Sequence, residues 1–381
     1  MKKVLFVATV YRFLKFEKSD MELLKAKGYE IHTGANMYEA EWLQDDGSLD
    51  DLEIHKHQID FGRSPFSSKS LKAYKQLKKL FETEQFEILH CHTPVAAAIS
   101  RMAARKYHKK GMRVIYTSHG FHFHKKSSVK TWILYYPIEY LLAYITDMII
   151  TINKEDYNVI QKFHVKEKKY IPGVGVDTRY IECMEGEPCK LKQQYGIPAD
   201  AFVILSIGEL SIRKNHEVVI RALAKCGRDD IYYVICGTGT LRERLEMLSE
   251  ELGIQKRVIL AGQVSHDEAI KMCHMCDIGA IPSRIEGLGL AGIESLAAGK
   301  PLIASNVHGI KDYAIDGITG ITCDPLSVEQ FKNAILRLHD DKDYYQICQN
   351  NAKSMSEKFD IAESRRYMEE NYSVFTSQKK G

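Results

Sequence analysis

The chain has 381 residues, a formal net charge of +3 and the composition of a soluble globular protein, and its length favours two domains over one hydrophobic core. Its nine cysteines are scattered, so a disulfide-stapled secreted domain is not expected. Charged residues follow the apolar start at once, and Glu139 and Asp147 interrupt the longest apolar region, 135–152. The sequence therefore predicts a cytoplasmic protein with neither a signal peptide nor a membrane span.

The charge is distributed unevenly between the two halves. Residues 1–180 hold 29 Lys and Arg against 21 Asp and Glu, whereas residues 181–381 hold 24 against 29. The basic half carries two groups of lysines, Lys69, Lys72, Lys75, Lys78 and Lys79 on one amphipathic segment and Lys125, Lys126 and Lys130 beside Trp132. This pattern suits either a solvated helix face or an anionic partner. The adjoining aromatics favour peripheral contact with an anionic membrane surface over nucleic acid, for which no module signature appears.

Short β-branched runs alternate with helical patterns through the first half, which is typical of a parallel α/β sheet. The pattern predicts strands at 4–9, 31–35, 52–59, 88–93, 114–118 and 148–152. It predicts helices ending near 27–28 and covering about 71–84, 95–107 and 132–145. The glycines of 171–177 indicate a turn, and we place the end of the first domain at residue 182.

A second alternating series begins after a linker at 183–198. Its predicted strands are 202–208, 231–237, 257–262, 277–282, 301–305 and 320–324. We assign residues 199–360 to this second domain and expect 328–376 to be helical throughout, with about 361–381 returning to the first domain. Two consecutive doubly wound sheets predict a cleft between domains, with ligands at the carboxyl ends of strands.

The stretch 282–300 combines two carboxylates, closely spaced glycines and the start of an apolar helix. Gly287 and Gly289 allow close approach of a ligand, and the helix that follows presents free N–H groups to anions. Glu286 and Glu294 would stand about 12 Å apart if both were helical, which is too far to share one proton. Two carboxylates so separated suit different hydroxyl groups of one long ligand, although surface carboxylates are the alternative.

Two further glycine-containing segments follow strands of the second half. In 208–215, Arg213 and Lys214 come at a strand end, where they suit a pyrophosphate, the alternative being an exposed loop. Gly237 and Gly239 lie between a strand and a helix and could hold a nucleotide. They do not form the G-x-G-x-x-G fingerprint, so an NAD-dependent dehydrogenase is not expected.

Five histidines of the first half fall in two short stretches of sequence, at His90, His92, His119, His122 and His124. They could be taken for a metal cluster, but they lack the paired spacing of a closed zinc site. The sequence therefore predicts no metal. His119, directly after a predicted strand, is better placed as a neutral hydrogen-bonding group over the cleft.

The segment 286–294 resembles the E-x7-E motif of the family 4 retaining glycosyltransferases, enzymes of the GT-B fold with two Rossmann-like domains. Other segments resemble the family at fitting spacing: 119–120, 151–153, 172–177, 208–215, 237–239, 261–264, 297–301 and 316–320. The resemblance covers nearly the whole chain and is nearest to bacterial capsular and exopolysaccharide transferases.

The resemblance implies a role for each matching residue. Glu286 would contact donor-sugar hydroxyls and Glu294 the ribose, while Arg213 and Lys214 would bind the pyrophosphate and His119 would lie by the sugar. Further donor contacts are implied at Gly237, Gly239, Gly262, Val264, Gly287, Leu288, Gly289 and Leu290. The family uses no metal, since the cations and the helix dipole stabilise the leaving diphosphate.

The implied activity is retaining transfer of a hexosyl group from a nucleotide sugar, UDP favoured, to a polyprenyl-diphosphate-linked or other glycan hydroxyl at the inner face of the plasma membrane. Two departures from the family bear on this. Glu209 stands where many relatives carry a cation, and 9–16 lacks the glycine-rich first loop. The alternatives are a nucleotide-sugar-binding protein without turnover and a UDP-sugar epimerase of the same fold.

Overall fold

The computed structural model describes residues 2–38, 47–62, 67–184 and 188–376. The chain forms two compact units, Met1–Val174 with Glu363–Gly381, and Gly175–Ala362. Residues 175–182, which the sequence analysis assigned to the first domain, belong to the second unit, and so do the first residues of the segment 361–381. Residues 363–376 belong to the first unit.

The first unit is built on a seven-stranded sheet. Its strands are β1 (Lys2–Val10), β2 (Tyr29–Asn36), β3 (His55–Gln58), β4 (Ile88–Cys91), β5 (Arg113–Ser118), β6 (Met148–Thr151) and β7 (Glu167–Tyr170). They pair in the order β3-β2-β1-β4-β5-β6-β7, and every pairing is parallel. The interior strand β1 is apolar and fully buried over residues 4–7, as expected of a strand covered on both faces.

Helices connect these strands. They are α1 (Lys18–Ala26), α2 (Ser68–Thr83), α3 (Pro94–His108), α4 (Val129–Ala143) and α5 (Lys154–Ile160). All predicted strands and helices of this half are present, although their ends differ by a few residues. The segment 9–16 is not a loop, because β1 continues to Val10 and a 3₁₀ helix, Tyr11–Glu17, follows directly.

The second unit is built on a six-stranded sheet. Its strands are β8 (Phe202–Ile207), β9 (Ile231–Cys236), β10 (Val258–Gly262), β11 (Ile278–Ile281), β12 (Leu302–Ser305) and β13 (Gly320–Cys323). The order is β10-β9-β8-β11-β12-β13, again with parallel pairings. All six strands were predicted. The order reverses direction between β8 and β11, which is where doubly wound sheets bind ligands.

The helices of this unit flank its sheet. They are α6 (Thr178–Cys183), α7 (Pro188–Gln194), α8 (His216–Lys225), α9 (Arg242–Glu251), α10 (His266–Met275), α11 (Leu290–Ala297), α12 (Val328–Asp340) and α13 (Lys342–Ser356). The expected linker at 183–198 thus contains helix α7, while 185–187 lie outside the described residues. The helical end is interrupted rather than continuous: a 3₁₀ helix, Glu357–Phe359, separates α13 from α14 (Ile361–Thr376).

Candidate active site

Two loops meet at the switch point of the second unit. Loop 208–215 follows β8 and loop 282–289 follows the neighbouring strand β11. Asn215, buried and in a left-handed backbone conformation (φ 59°), donates hydrogen bonds to Pro282 O at 2.9 Å and Pro325 O at 2.8 Å. Its side-chain oxygen accepts a bond from Arg284 Nε at 3.2 Å. Asn215 therefore ties one loop to the other.

Glu286 lies at the centre of this junction. Its Oε2 accepts hydrogen bonds from Arg213 Nη1 at 2.9 Å, Lys214 Nζ at 2.8 Å and Ser283 Oγ at 3.2 Å. Burial alone would raise the pKa of Glu286, but Lys214 and Arg213 outweigh burial and lower that pKa below its ordinary value. The carboxylate is therefore ionised at neutral pH, and it holds both cations at one point.

The backbone around Glu286 is shaped by glycines and a buried tyrosine. Gly289, the N-cap of α11, has φ 86°, and Tyr313 donates from its hydroxyl to Gly289 O at 3.0 Å. Gly309 N donates to Glu286 O at 3.2 Å. A Cβ on Gly309 would lie 1.9 Å from Gly287 O, so only glycine permits this approach. The turn places Glu286 just before the first N–H groups of α11.

Glu294, in the second turn of α11, has a different partner. Its Oε1 lies 3.1 Å from Nε2 of His266, at the start of α10. The Glu294 side chain is 13% exposed and the His266 side chain 61% exposed. The structure therefore brings Glu286, Arg213 and Lys214 together, while Glu294 belongs to a second polar group with His266.

Gly237 and Gly239 have a clear packing role. A Cβ on Gly237 would lie 2.0 Å from Gly208 O, and one on Gly239 would lie 2.4 Å from Leu210 O. Leu210 N in turn donates to Thr238 O at 2.9 Å. The missing side chains thus allow the turn after β9 to pack backbone against backbone on the loop that carries Arg213 and Lys214.

The other predicted donor contacts lie in the same loops or just beyond β10. Gly262 has φ 78° and accepts a hydrogen bond from Gly237 N at 2.7 Å, and Val264 is half-buried two residues later. In the turn before α11, Gly287 is half-buried and Leu288 is buried, and Leu290, the first residue of α11, is half-buried. Their contact with a nucleotide stays a prediction.

Sequence reasoning missed His216, which begins α8 directly after the cationic loop. His216 Nδ1 lies 3.1 Å from the hydroxyl of Tyr233, and that hydroxyl donates to Ser206 Oγ at 2.8 Å. Burial lowers the pKa of His216 to about 4, so the ring is neutral at physiological pH. The signal that could have found it is its place after a strand-end loop, which the sequence analysis used only for the cations.

In the first unit, His119 follows β5 and lies beside His92, which follows β4, and Glu17, the last residue of the 3₁₀ helix Tyr11–Glu17. Glu17 Oε1 lies 3.2 Å from His119 Nε2 and 3.4 Å from His92 Nδ1. The two histidines are 3.2 Å apart, and all three donor atoms lie within 4.8 Å of one another. Sequence reasoning considered His92 only for a metal cluster and did not consider Glu17. The order of β1, β4 and β5 brings them together.

The ring of His90 packs against that of His92, with centroids 4.2 Å apart, but its nitrogens have other partners. His90 lies 2.8 Å from both the Tyr372 hydroxyl and Thr117 Oγ1, and Tyr372 donates to Asp20 Oδ2 at 3.0 Å. Burial lowers the pKa of His90 to about 3. His122 stacks on the Tyr135 ring, with centroids 4.7 Å apart. Of these five histidines, only His92 and His119 belong to a described group whose ligand atoms converge.

Two family models match successive parts of the chain: Glycosyltransferase Family 4 over residues 21–180 and Glycosyl transferases group 1 over residues 189–355. The putative glycosyltransferase EpsD of Bacillus subtilis (strain 168) is 35% identical over 326 residues, which cover 84% of this chain and 82% of EpsD. The chain belongs to glycosyltransferase family 4. The family expected from the E-x7-E segment is thus confirmed.

Other family relatives and solved structures agree. The Escherichia coli UDP-Gal:alpha-D-GlcNAc-diphosphoundecaprenol alpha-1,3-galactosyltransferase is 28% identical over 285 residues, covering 72% of each chain. The crystal structure of Anabaena HepE in complex with UDP and glucose superposes with a TM-score of 0.80 at 18% identity, covering 98% of this glycosyltransferase and all of HepE. With its two Rossmann-like parallel sheets, this glycosyltransferase has the expected GT-B fold.

Proposed function

We propose that this glycosyltransferase transfers a hexosyl group, with retention of configuration and without a metal ion, from a nucleotide sugar to a glycan or lipid-linked hydroxyl in cell-surface polysaccharide synthesis. UDP is the favoured nucleotide. The name of the Escherichia coli relative includes a UDP-sugar donor and a diphosphoundecaprenol-linked acceptor, which supports this choice. The observation that carries the proposal is the cluster of Glu286, Arg213 and Lys214.

The cluster offers two cations for a diphosphate at the switch point of a doubly wound sheet. Arg213 can meet phosphate oxygens as a fork and Lys214 as a point charge, and the N-terminus of α11 adds partial positive charge beside them. Charge that develops on the leaving diphosphate is stabilised by groups already held in place. Glu286 fixes both cations and has a second oxygen available for donor-sugar hydroxyls.

The other predicted residues complete this assignment. Glu294 binds the ribose, since a half-buried carboxylate beside His266 can accept hydrogen bonds from the ribose hydroxyls. The segment around Gly262 and Val264 lies near the base. In the first unit, His119, whose Nε2 lies 3.2 Å from His92 Nδ1 and 3.2 Å from Glu17 Oε1, acts as a hydrogen-bonding group for the transferred sugar.

Helix α4 supports a lipid-linked acceptor and a peripheral position at the membrane. Among the described residues, no helix combines the length and apolar character needed to cross a bilayer. The α4 side chains of Val129, Ile133 and Leu141 are nonetheless 73%, 71% and 66% exposed. Exposed Lys125, Lys126 and Lys130 lie at the start of the same segment. An apolar surface edged by lysines suits anionic lipid.

The proposal is tested with purified protein, a panel of UDP- and GDP-sugars and isolated lipid-linked acceptors. We expect transfer from a UDP-sugar that persists in EDTA, and a product whose anomeric configuration, read by NMR, matches the donor. A changed nucleotide sugar formed without acceptor would identify an epimerase instead. The proposal is wrong if no nucleotide sugar is consumed and UDP does not bind in calorimetry.

A second experiment addresses the cations directly. Lys214→Met should weaken binding of UDP at least about tenfold but leave binding of uridine nearly unchanged, because only UDP carries the phosphates. Lys225→Met, at an exposed position on α8, serves as the matched control. Equal losses for UDP and uridine would indicate a general disturbance of the site and would contradict the assigned role.

A further inference from the structure

Three histidines and a glutamate form a cluster on the edge of the first unit's sheet, apart from the residues assigned above. Glu30 and His32 project from one face of β2, and His55 and His57 from one face of the edge strand β3. The parallel register pairs His32 with His55. The short motifs E-x-H and H-x-H, which the sequence analysis did not use, are thus brought side by side.

The donor atoms of this cluster converge. Glu30 Oε1 lies 2.8 Å from His32 Nε2 and 3.2 Å from His55 Nε2. All three atoms lie within 4.8 Å of one another. Ligand bonds to zinc of about 2.0–2.2 Å place neighbouring donors of a tetrahedral site roughly 3.3 Å apart. The cluster therefore has the spacing of a metal site with small adjustments of the side chains.

His57 supplies the support that ligating histidines normally have. Its Nε2 lies 2.9 Å from His32 Nδ1, and the two rings are nearly parallel, with an interplanar angle of 5°. When His32 Nδ1–H donates to His57, the lone pair of His32 Nε2 is left for a metal ion. Such outer hydrogen bonds fix the tautomer and orientation of a ligand.

Burial and charge also suit a cation. The side chains of His32, Glu30 and His55 are 3%, 18% and 59% exposed, so the cluster is anchored on one side and open on the other. Lys3, 3.8 Å from Glu30 Oε1, hydrogen-bonds to Glu84.

We propose that Glu30, His32 and His55 bind one zinc ion, with His57 as the outer partner of His32 and water as the fourth ligand. Two imidazoles and a carboxylate are ligands that zinc prefers. Because the ligands come from two neighbouring strands, the ion fastens the edge strand β3 to β2. This site is independent of the proposed transfer reaction and uses none of its residues.

The test is calorimetric titration of the full-length, tag-free protein with ZnCl₂, with the absorption of bound Co²⁺ as a second measurement. We expect one equivalent to bind and to raise Tm. Glu30→Gln and His55→Ala should each weaken zinc binding at least about tenfold, and His57→Ala about tenfold through the lost outer hydrogen bond. His164→Ala, at an exposed histidine outside the cluster, should leave binding unchanged.

A separate variant distinguishes this site from the group of Glu17, His92 and His119. His119→Ala should retain the zinc affinity and the Co²⁺ spectrum of the unmodified protein. The proposal is overturned if His119→Ala abolishes binding while His55→Ala does not, or if the unmodified protein shows no saturable zinc binding.

Discussion

Lys214 donates a 2.8 Å hydrogen bond to Glu286, a residue 72 positions later in the chain. Each follows a strand of the second sheet, and β8 and β11 are neighbours at the point where the strand order reverses. The pairing is therefore produced by topology rather than by local sequence. This pairing brings the loop 208–215 and the loop 282–289 together in one charged site.

The charge of Glu286 is the first feature to test. Glu286→Gln keeps the size of the side chain but weakens its bonds with Arg213 and Lys214. We expect turnover to fall about tenfold to hundredfold, because a hydrogen bond to a charged group usually contributes that much. The UDP affinity should change little. Initial rates and UDP calorimetry measure the two effects. Glu243→Gln on exposed α9 is the control, and unchanged turnover in the Glu286→Gln variant would refute the assigned role.

The turn at Gly289 offers a matched pair with Gly28. The two glycines have φ of +86° and +83°, but a Cβ on Gly289 would lie 2.9 Å from Glu286 Cγ, whereas one on Gly28 would have nothing within 4 Å. Alanine at either site incurs a left-handed backbone cost of about 1–2 kcal/mol. Only Gly289→Ala should also lower kcat, by roughly a hundredfold, because it displaces the Glu286 carboxylate. An equal loss of kcat in Gly289→Ala and Gly28→Ala would contradict this prediction.

A buried ion pair in the first unit predicts that removing one partner lowers the free energy of unfolding and that removing both partners recovers most of it. Arg101 Nη2 lies 2.7 Å from Glu139 Oε2, and the guanidinium lies over the Tyr116 ring, 4.2 Å from its centroid. Arg101→Met leaves a buried carboxylate without its partner and should cost about 3–5 kcal/mol in urea unfolding. Adding Glu139→Leu should recover most of that loss. A double variant no more stable than Arg101→Met would show that the ion pair is not the cause.

The buried ring of His216 predicts a pH dependence of stability. Burial lowers its pKa from 6.5 to about 4 in the folded protein. Below about pH 6.5 the unfolded chain binds a proton that the folded chain does not, so stability falls as pH drops through this window, by up to roughly 3 kcal/mol. His216→Gln should flatten the change in Tm between neutral and mildly acidic buffer, whereas His164→Gln should not. A steeper fall of Tm with decreasing pH in the His216→Gln variant would contradict the predicted direction of the pH dependence.

Vesicle binding tests the basic end of α4. Replacing Lys125, Lys126 and Lys130 by Glu should weaken co-sedimentation with anionic vesicles at least about a hundredfold, at about 1 kcal/mol for each lysine near the surface. Binding to neutral vesicles should not change. The matched control replaces three exposed lysines of the second unit, Lys342, Lys353 and Lys358. The same loss of vesicle binding in the control variant would show that the effect comes from the net charge of the protein rather than from this surface.

Much of the fold could be predicted because hydrophobic periodicity is a local signal. Strands such as β8 and β9 are continuous apolar runs, and parallel sheets covered on both faces require such runs. Strand β7, Glu167–Tyr170, was missed because it is polar and half-buried at the sheet edge, where charged side chains are common. The segment 9–16 was taken as a loop, because a 3₁₀ helix such as Tyr11–Glu17 has no comparable sequence period.

By itself, the sequence determined the alternation of strands and helices and the two-sheet architecture, and its resemblance to a known family implied the candidate roles of Glu286, Arg213 and Lys214. The alternation follows from backbone preference and apolar spacing, which act over one element and the turn that follows it. Only the tertiary structure decided that Glu17 meets His119 and that Glu139 is buried against Arg101. It also decided that His90 meets Tyr372, 282 residues away. Such contacts depend on the order of strands and on packing between elements, which no local pattern encodes.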